Sequence, residues 1–179
     1  MKQAFIEGLK SVGAEVFDVG VGPTDFAAWS GKRLDAVSVE VTSSHMPLDF
    51  NGFKFMYPEG NGFVNEDLHT IQGLFRDEDF SSGEGSVEER PEILEDYKSE
   101  MIDFASSLGS NWDKKVIVDS LGGTGRILPE LLERLDVDVV DISENDEYSI
   151  DPPNPKPENL EDLKEAVERE NADLGISND

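Results

Sequence analysis

The sequence predicts an α/β fold built from two mixed or parallel α/β layers. Over residues 1–41, apolar side chains recur first at helical spacing and then at strand spacing, twice in succession. Residues 109–179 follow the order strand, helix, strand, helix, strand, and a longer helical pattern separates the two regions. We therefore expect one domain over residues 1–108, including the connecting helix, and a second over residues 109–179.

The first layer begins with a helix whose apolar face runs over residues 4–12, and Gly13 is placed to end it. A short strand is expected at residues 16–19. Glycine and proline then break the chain, and Thr24 is placed to cap a second helix. Residues 36–41 alternate apolar and polar side chains and form the clearest strand of this layer.

The chain continues with a returning strand at residues 53–57 and a helix at residues 65–75, with Asn65 as its expected cap. Residues 76–92 are rich in acid, serine and glycine and poor in apolar side chains, which predicts a mobile surface loop. Pro91 stands near the start of the longer helix, which we interpret as the connector between the two domains.

The second layer is predicted from short apolar runs separated by helical patterns. The strands are expected at residues 116–118, 137–142 and 174–176, and the helices at residues 127–135 and around Leu160, Leu163, Ala166 and Val167. The glycine-rich run at residues 122–125 lacks both the Gly-Lys-Ser/Thr ending of a P-loop and the Gly-x-Gly-x-x-Gly spacing. A tight turn from strand to helix is therefore favoured over a nucleotide site.

Composition restricts the function. Forty acidic residues against fifteen basic ones give a net charge of −25, spread along the chain, which is typical of a protein from a high-salt cytoplasm. No basic stripe is present to neutralise phosphates, so a nucleic-acid partner is not expected. The chain has no cysteine, no apolar run approaching ~18 residues and no signal-peptide pattern. We expect a soluble cytoplasmic protein without a membrane partner; no feature predicts an oligomeric state.

The strongest candidate for chemistry is the stretch at residues 41–55, which places Ser44, His45 and Lys54 around a turn just past a strand. A Ser-His nucleophile and base is weakly supported, because adjacent residues rarely point at one another. A serine that carries a phosphoryl group fits better, since it needs an exposed tight loop, a cation and a proton-transfer group. Asp179 follows the last predicted strand and is a possible magnesium ligand. His69 is expected to be structural.

Several segments resemble one known family. Thr-Ser-Ser-His-Met-Pro at residues 42–47, followed by Asn-Gly-Phe-Lys-Phe at residues 51–55, resembles the phosphoserine loop of the α-D-phosphohexomutases. The usual form of that loop is Thr-Ala-Ser-His-Asn-Pro and then Asn-Gly-hydrophobic-Lys. Residues 20–24 are similar to the family's Gly-x-x-Pro-Thr turn, and residues 116–125 to the opening of its second domain. Residues 172–176 are similar to the strand before its metal loop, Asp-Gly-Asp-x-Asp-Arg.

The resemblance implies parts of domains I and II of a phosphohexomutase, which interconverts hexose 1-phosphate and hexose 6-phosphate through a bisphosphorylated intermediate. It implies that Ser44 carries the phosphoryl group, that Lys54 transfers a proton and that His45 has a secondary catalytic role. Asp179 matches the first of three magnesium-binding aspartates, and the phosphate on Ser44 completes the ligand set for Mg²⁺. Ser43 stands where alanine is usual, which leaves open which serine is phosphorylated.

Two functional hypotheses follow. Both ends of the chain read as cut, because the first helix lacks a preceding strand and the chain ends at Asp179, before the second and third metal-binding aspartates. The chain by itself is therefore expected to be inactive, as part of a phosphohexomutase of haloarchaeal type. The alternative is a non-catalytic truncated remnant that binds a sugar phosphate or a partner chain.

Overall fold

The computed structural model describes residues 1–44, 46–47, 49–109, 112–143 and 152–178. The helices are α1 (Lys2–Ser11), α2 (Thr24–Leu34), α3 (Asn65–Arg76), α4 (Glu92–Ser107), α5 (Leu128–Glu133) and α6 (Glu161–Arg169). The strands are β1 (Glu15–Asp18), β2 (Ser38–Thr42), β3 (Gly52–Met56), β4 (Ser86–Glu89), β5 (Lys115–Asp119), β6 (Asp138–Asp141) and β7 (Leu174–Ser177). Short 3-10 turns lie at Thr124–Ile127 and Pro157–Asn159. The predicted α/β class is confirmed.

The chain divides into two compact units. One contains Met1–Thr42 and Gly52–Glu95, and the other contains Ser43–Asn51 and Asp96–Asp179. The boundary between them falls inside α4, the helix predicted as the connector. The domain boundary after residue 108 stays a prediction.

The strands of the first unit form two two-stranded sheets. Strand β1 pairs in parallel with β4, and β2 pairs antiparallel with β3, with Thr42 opposite Gly52. The layer is therefore mixed, and β1 and β2 pair with different partners. The returning strand predicted at residues 53–57 forms a hairpin with β2, because the chain after Gly52 runs back directly alongside it.

The two faces of this hairpin differ in chemistry. Phe53 and Phe55 share one face, where the Phe53 ring lies 4.6 Å from that of Phe5 in α1 and the Phe55 ring 5.7 Å from that of Phe63. The stacking of Phe5 on Phe53 anchors α1 to the hairpin. The opposite face carries Glu40 and Lys54, because side chains alternate along a strand.

Two helices begin differently from the prediction. Helix α2 starts at Thr24, but the preceding Pro23 is in the cap position and no side chain caps the helix. Helix α3 starts at Asn65, and the Asp67 carboxylate accepts a hydrogen bond from the Val64 N–H at 2.9 Å. The predictions that Thr24 and Asn65 serve as caps are therefore wrong. Both residues are already inside the first turn, where a side chain is placed too late to act as the cap.

The predicted surface loop over residues 76–92 contains a strand. Strand β4 pairs with β1 along its whole length, from Glu15 opposite Ser86 to Asp18 opposite Glu89. All four side chains of β4 are exposed, so the strand has no apolar face that a sequence pattern could reveal. Backbone hydrogen bonds hold it in place, and the prediction of a loop there is wrong.

Gly85, just before β4, allows a close backbone contact at the start of this strand. A Cβ atom at this position would lie 2.1 Å from the carbonyl oxygen of Ala14 and 2.9 Å from the Cα atom of Lys10. Because both obstacles are backbone atoms, no side-chain movement can relieve the overlap.

We expect Gly85→Ala to lower the free energy of unfolding by about 3 kcal/mol or more, measured by urea denaturation. Gly8→Ala is the matched control, since a Cβ there meets nothing within 4 Å. A Gly85→Ala protein as stable as its parent would contradict this packing.

Asp18 ties the end of β1 to the start of α1. Its carboxylate lies 2.7 Å from the Lys2 Nζ atom and accepts a hydrogen bond from the Gly20 N–H at 3.0 Å. Burial raises the pKa of Asp18, but these two hydrogen bonds outweigh burial and leave the pKa below its ordinary value of 3.8.

This lowered pKa predicts a pH dependence of stability. A carboxyl group with a lower pKa in the folded state stabilises the fold above pH 3.8 and loses that contribution as the pH falls through the folded-state pKa. We expect Asp18→Asn to be less stable than its parent at about pH 7, and the difference to shrink as the pH falls below the ordinary pKa of 3.8. Urea denaturation across this range tests it, with Asp103→Asn on an exposed helix position as the charge-matched control. A difference that is independent of pH would refute the electrostatic explanation.

The second unit is a parallel sheet with strand order β6–β5–β7 and a helix on each face. The central strand β5 sends alternate side chains to opposite cores. Val116 and Val118 pack with Val137 and with apolar residues of α5, whereas Ile117 packs with Leu163 and Ala166 of α6. The three predicted strands and the two predicted helices are confirmed here. Among the described residues, no helix is long and apolar enough to cross a membrane.

Candidate active site

The serine loop joins the two strands of the hairpin. It spans Ser43–Asn51, between Thr42 at the end of β2 and Gly52 at the start of β3. Two turns bend its backbone, one with a hydrogen bond from the Met46 N–H to the Ser43 carbonyl and one from the Phe50 N–H to the Pro47 carbonyl. The loop therefore lies just past the carboxyl end of a strand, as the sequence predicted.

Ser44 and Ser43 differ in exposure and backbone geometry. Ser44 is exposed and has a φ of 53°, in the left-handed region that residues other than glycine rarely adopt. Ser43 is half-buried. Unusual backbone conformations of this kind concentrate at functional sites. An exposed hydroxyl at a sharp turn is the geometry that a phosphoryl carrier needs, and Ser44 meets it better than Ser43.

Two of the predicted site residues lie outside the described part of the chain. His45, predicted as a secondary catalytic residue, follows Ser44 directly, and Asp179, predicted as a metal ligand, follows Asn178. Their roles stay predictions.

Lys54 lies in a three-residue cluster that the structure assembles in the first unit. Its Nζ atom donates a hydrogen bond to the Thr24 Oγ1 atom at 3.3 Å and lies 3.5 Å from the Glu40 Oε2 atom. The Thr24 hydroxyl in turn donates to the Glu40 Oε1 atom at 3.0 Å. Three different elements, α2, β2 and β3, thus bring a hydroxyl, a carboxylate and an ammonium group together. We name this set the lysine cluster.

The two oxygens of Glu40 have different environments. Oε1 accepts the Thr24 hydrogen bond, whereas Oε2 is buried and has no hydrogen-bond partner, although the Lys54 ammonium lies 3.5 Å away. At this distance the two groups form an ion pair, and Oε2 makes no hydrogen bond. The contact is therefore mainly electrostatic. The Glu40 side chain is 14% exposed and that of Lys54 is 41% exposed, so the lysine head reaches solvent above a shielded carboxylate.

Sequence analysis missed Glu40. Glu40 is one of the polar residues in a strand whose side chains alternate between apolar and polar. That pattern by itself indicates only that Glu40 lies on the polar face of the strand. The hairpin register supplies the missing signal, since Glu40 lies directly opposite Lys54 once Thr42 is paired with Gly52. This register could have been predicted from the sequence, because Pro47 and Asn51-Gly52 mark the turn between the two strands.

A second group of polar residues lies at the carboxyl edge of the sheet in the second unit. Ser120 follows β5 and is completely buried; its N–H and hydroxyl both donate to the Ser143 Oγ atom, at 2.7 and 2.8 Å. The Asn178 N–H, just past β7, donates to the Asp119 carbonyl at 3.1 Å. Ligands bind at this edge in open α/β sheets.

Asp119 is buried at the same edge. Burial raises the pKa of Asp119, the hydrogen bond from the Leu121 N–H opposes that increase, and the negative charges of Asp162 and Asp141 add to it. The left-handed backbone of Leu121 and Gly122 then turns the chain into the 3-10 turn and α5. The glycine-rich run therefore forms a turn from strand to helix, as predicted.

The segment leading to Asp179 packs tightly on this turn. A Cβ atom on Gly125 would lie within 2.5 Å of the side-chain amide of Asn178, so only glycine fits beneath it. The Ser177 Oγ and Asn178 Oδ1 atoms are buried without a hydrogen-bond partner. Oxygen atoms of this kind suit a hard cation such as Mg²⁺. Within the described ranges, no group of three or more His, Cys, Asp or Glu side chains could hold a metal ion.

Comparisons with known proteins agree with this geometry. Residues 1–82 match the family model described as phosphoglucomutase/phosphomannomutase, alpha/beta/alpha domain I, and residues 93–179 match alpha/beta/alpha domain II of the same family. A phosphomannomutase/phosphoglucomutase from Pseudomonas aeruginosa is 36% identical, over 97% of this chain and 38% of the relative. A phosphoglucomutase/phosphomannomutase from Thermococcus kodakarensis is 33% identical, over 100% of this chain and 41% of the relative.

A solved structure has the same fold. The crystal structure of a phosphoglucomutase/phosphomannomutase family protein from Burkholderia thailandensis superposes with a TM-score of 0.82 and 23% sequence identity, covering 97% of this chain and 40% of that one. The match shows that the two chains share an α/β fold. This chain belongs to the phosphoglucomutase/phosphomannomutase family. It spans about two fifths of the length of the relatives that it matches.

Proposed function

We propose that this chain supplies the phosphoserine loop and the start of the metal loop of a phosphohexomutase, which interconverts hexose 1-phosphate and hexose 6-phosphate. The observation that carries the proposal is the exposed, left-handed Ser44 directly after β2, in a chain whose two parts match domains I and II of this family. The hexose is glucose or mannose by analogy with the names of the relatives.

In this proposal, Ser44 carries the phosphoryl group between turnovers. When the phosphoryl group passes to a sugar hydroxyl, the bond from phosphorus to the Ser44 oxygen breaks and a bond from phosphorus to the sugar oxygen forms. The sugar hydroxyl loses a proton and the serine oxygen gains one, so no net proton is consumed. Lys54 transfers this proton, and His45 assists in a secondary role. The reverse transfer, after the bisphosphorylated sugar has reoriented, regenerates the phosphoserine.

Magnesium is the proposed cofactor. Asp179 and an oxygen of the Ser44 phosphate would hold it, and the unpartnered oxygens of Ser177 and Asn178 beside Asp179 fit a site for a hard cation. A bound Mg²⁺ supplies positive charge that stabilises charge on the transferring phosphoryl group. The contribution of this chain is to position the phosphoserine and the proton-transfer group.

The charge supports a proposal about the environment. We infer that the protein works in a high-salt cytoplasm, because its net charge of −25 produces strong self-repulsion that concentrated salt screens.

A mutase assay tests the proposed function. The full polypeptide that carries these residues is given glucose 1-phosphate or mannose 1-phosphate with Mg²⁺ and a hexose bisphosphate activator in concentrated KCl. We expect the corresponding 6-phosphate to form, and chelation of the metal to stop its formation. Absence of product from both sugars would refute the proposal.

The alternative expected from the sequence, a non-catalytic remnant that binds a sugar phosphate or a partner chain, is tested by two further observations. Calorimetric binding of a hexose phosphate without turnover, together with a coding sequence that does not continue in frame into Gly-Asp-x-Asp-Arg, would support this second function. In-frame continuation together with turnover would refute it.

A further inference from the structure

We infer that Glu40 and Thr24 are positioning residues for Lys54, holding its ammonium group in one place above the hairpin. The inference rests on the proposed function, in which Lys54 is the proton-transfer group. It adds two residues that act through Lys54 and that the phosphoserine-loop pattern does not contain.

The hydrogen bonds of the lysine cluster run in one direction. The Thr24 hydroxyl has one proton, which it donates to Glu40, at 3.0 Å. Its oxygen therefore turns a lone pair to the Lys54 Nζ atom, which donates to it at 3.3 Å. The carboxylate orients the hydroxyl, and the hydroxyl oxygen accepts the hydrogen bond from Lys54. The order of donation is fixed from Lys54 through Thr24 to Glu40.

The backbones of Glu40 and Thr24, the two residues that contact Lys54, are held in secondary structure. Glu40 and Lys54 are register partners in the middle of paired strands, so their backbones are fixed with respect to each other. Thr24 is the first residue of α2, and this helix packs on β2. A lysine side chain has four rotatable bonds and loses much conformational freedom when its head is held. Contacts from two separate elements, β2 through Glu40 and α2 through Thr24, can hold such a side chain in place.

The Glu40 carboxylate is largely shielded from solvent. Glu40 is 14% exposed, and its Oε2 atom is buried without a hydrogen bond. A shielded carboxylate needs a compensating positive charge nearby, and the Lys54 ammonium supplies one at 3.5 Å. An ordinary surface ion pair has both groups exposed and stabilises a protein little. The placement of Glu40 beneath the lysine therefore indicates more than a solvent-exposed pair.

Position matters for the proposed reaction, because proton transfer requires the donor within hydrogen-bond reach of the reacting oxygen. Displacement of a reacting group by about 1 Å can lower a rate by about a hundredfold. Loss of the Glu40 charge is expected to release the Lys54 head and to lower kcat more than it changes KM.

The test uses substitutions that separate charge, hydrogen bond and shape. Glu40→Gln keeps a similar shape and removes the charge, Thr24→Val removes the hydroxyl, and Thr24→Ser keeps it. Glu161→Gln is the matched control, since Glu161 forms an exposed ion pair with Lys164 at 2.7 Å on α6. The control removes a single negative charge from an ordinary exposed ion pair, away from the lysine cluster.

Two readouts are measured on the full polypeptide. The first is ¹³C relaxation of the Lys54 Cε methylene, with the exposed Lys32 as the reference lysine. The second is the mutase kcat and KM. For Glu40→Gln and Thr24→Val, we expect Lys54 to become as mobile as Lys32 and kcat to fall about tenfold with KM changed less than about twofold. Thr24→Ser should restore most of the kcat that Thr24→Val loses, and Glu161→Gln should change neither readout.

The outcomes separate the inference from the function on which it rests. If the parent is active and Lys54→Met removes that activity, unchanged kcat in Glu40→Gln overturns the inference and leaves the proposed function intact. If the parent has no mutase activity, the proposed function fails, and Lys54 mobility alone decides whether Glu40 and Thr24 hold the lysine. A Lys54 that is as mobile as Lys32 in the parent overturns the inference in either case.

Discussion

Replacing Ser44 with alanine is expected to lower mutase kcat/KM at least about a thousandfold, because the substitution removes the oxygen that carries the phosphoryl group. The remaining groups can bind substrate and neutralise charge, but they have no covalent carrier to return the phosphoryl group to the second hydroxyl. The coupled assay of hexose 6-phosphate formation measures the loss. Binding of hexose phosphate should persist, since the serine hydroxyl contributes little to it.

The control is the neighbouring serine. Ser43 is half-buried, whereas Ser44 is exposed and left-handed, so Ser43→Ala should keep most of the activity. Circular dichroism of both variants checks that each is folded. Full activity in Ser44→Ala would reject the catalytic assignment, and loss of activity in Ser43→Ala alone would transfer the role of carrier to Ser43.

Stability is expected to depend strongly on salt. With a net charge of −25, the folded chain is destabilised by repulsion among its carboxylates. The Debye length falls from about 10 Å at 0.1 M salt to about 3 Å at 1 M, so most of that repulsion is screened at high salt. We expect Tm to rise by about 10 °C or more between those concentrations of KCl, equivalent to a stabilisation of about 3 kcal/mol.

A charge-reduced variant provides the control for this effect. Glu84, Glu165 and Glu168 are exposed, and their simultaneous replacement by glutamine removes three negative charges without altering the cores. The variant should have a higher Tm than its parent at low salt and a smaller increase with KCl. Equal salt dependence in the two proteins would show that screening of surface repulsion is not the cause.

The parts of the fold that sequence analysis predicted are those with an apolar signal. Strand β5 sends Val116 and Val118 to one core and Ile117 to the other, and such a continuous apolar run marks a central parallel strand. Strand β4 has only exposed side chains. Just before the strand, Gly85 has no side chain, which lets the backbone lie in close contact with that of Ala14. Neither backbone pairing nor backbone contact leaves a side-chain periodicity, so this strand could not be found from the pattern.

The candidate site shows a similar division. The turn after β2 and the exposed serine follow from local chemistry, because proline, asparagine and glycine constrain the backbone within a few residues. The contact of Thr24 with Glu40 and Lys54 joins residues separated by 16 and 30 positions and depends on how α2 packs on the hairpin. Thr24 was predicted as a helix cap from its local surroundings; the structure instead uses its hydroxyl in the lysine cluster.

Phosphosite mapping tests directly whether Ser44 carries a phosphoryl group: the full polypeptide is incubated with glucose 1,6-bisphosphate and Mg²⁺ in concentrated KCl, digested, and analysed by tandem mass spectrometry. We expect one phosphoryl group on Ser44, absent from Ser44→Ala and removed when excess glucose 1-phosphate is added. A peptide covering residues 38–54 that remains unmodified, or that carries the phosphoryl group on Ser43, would contradict it.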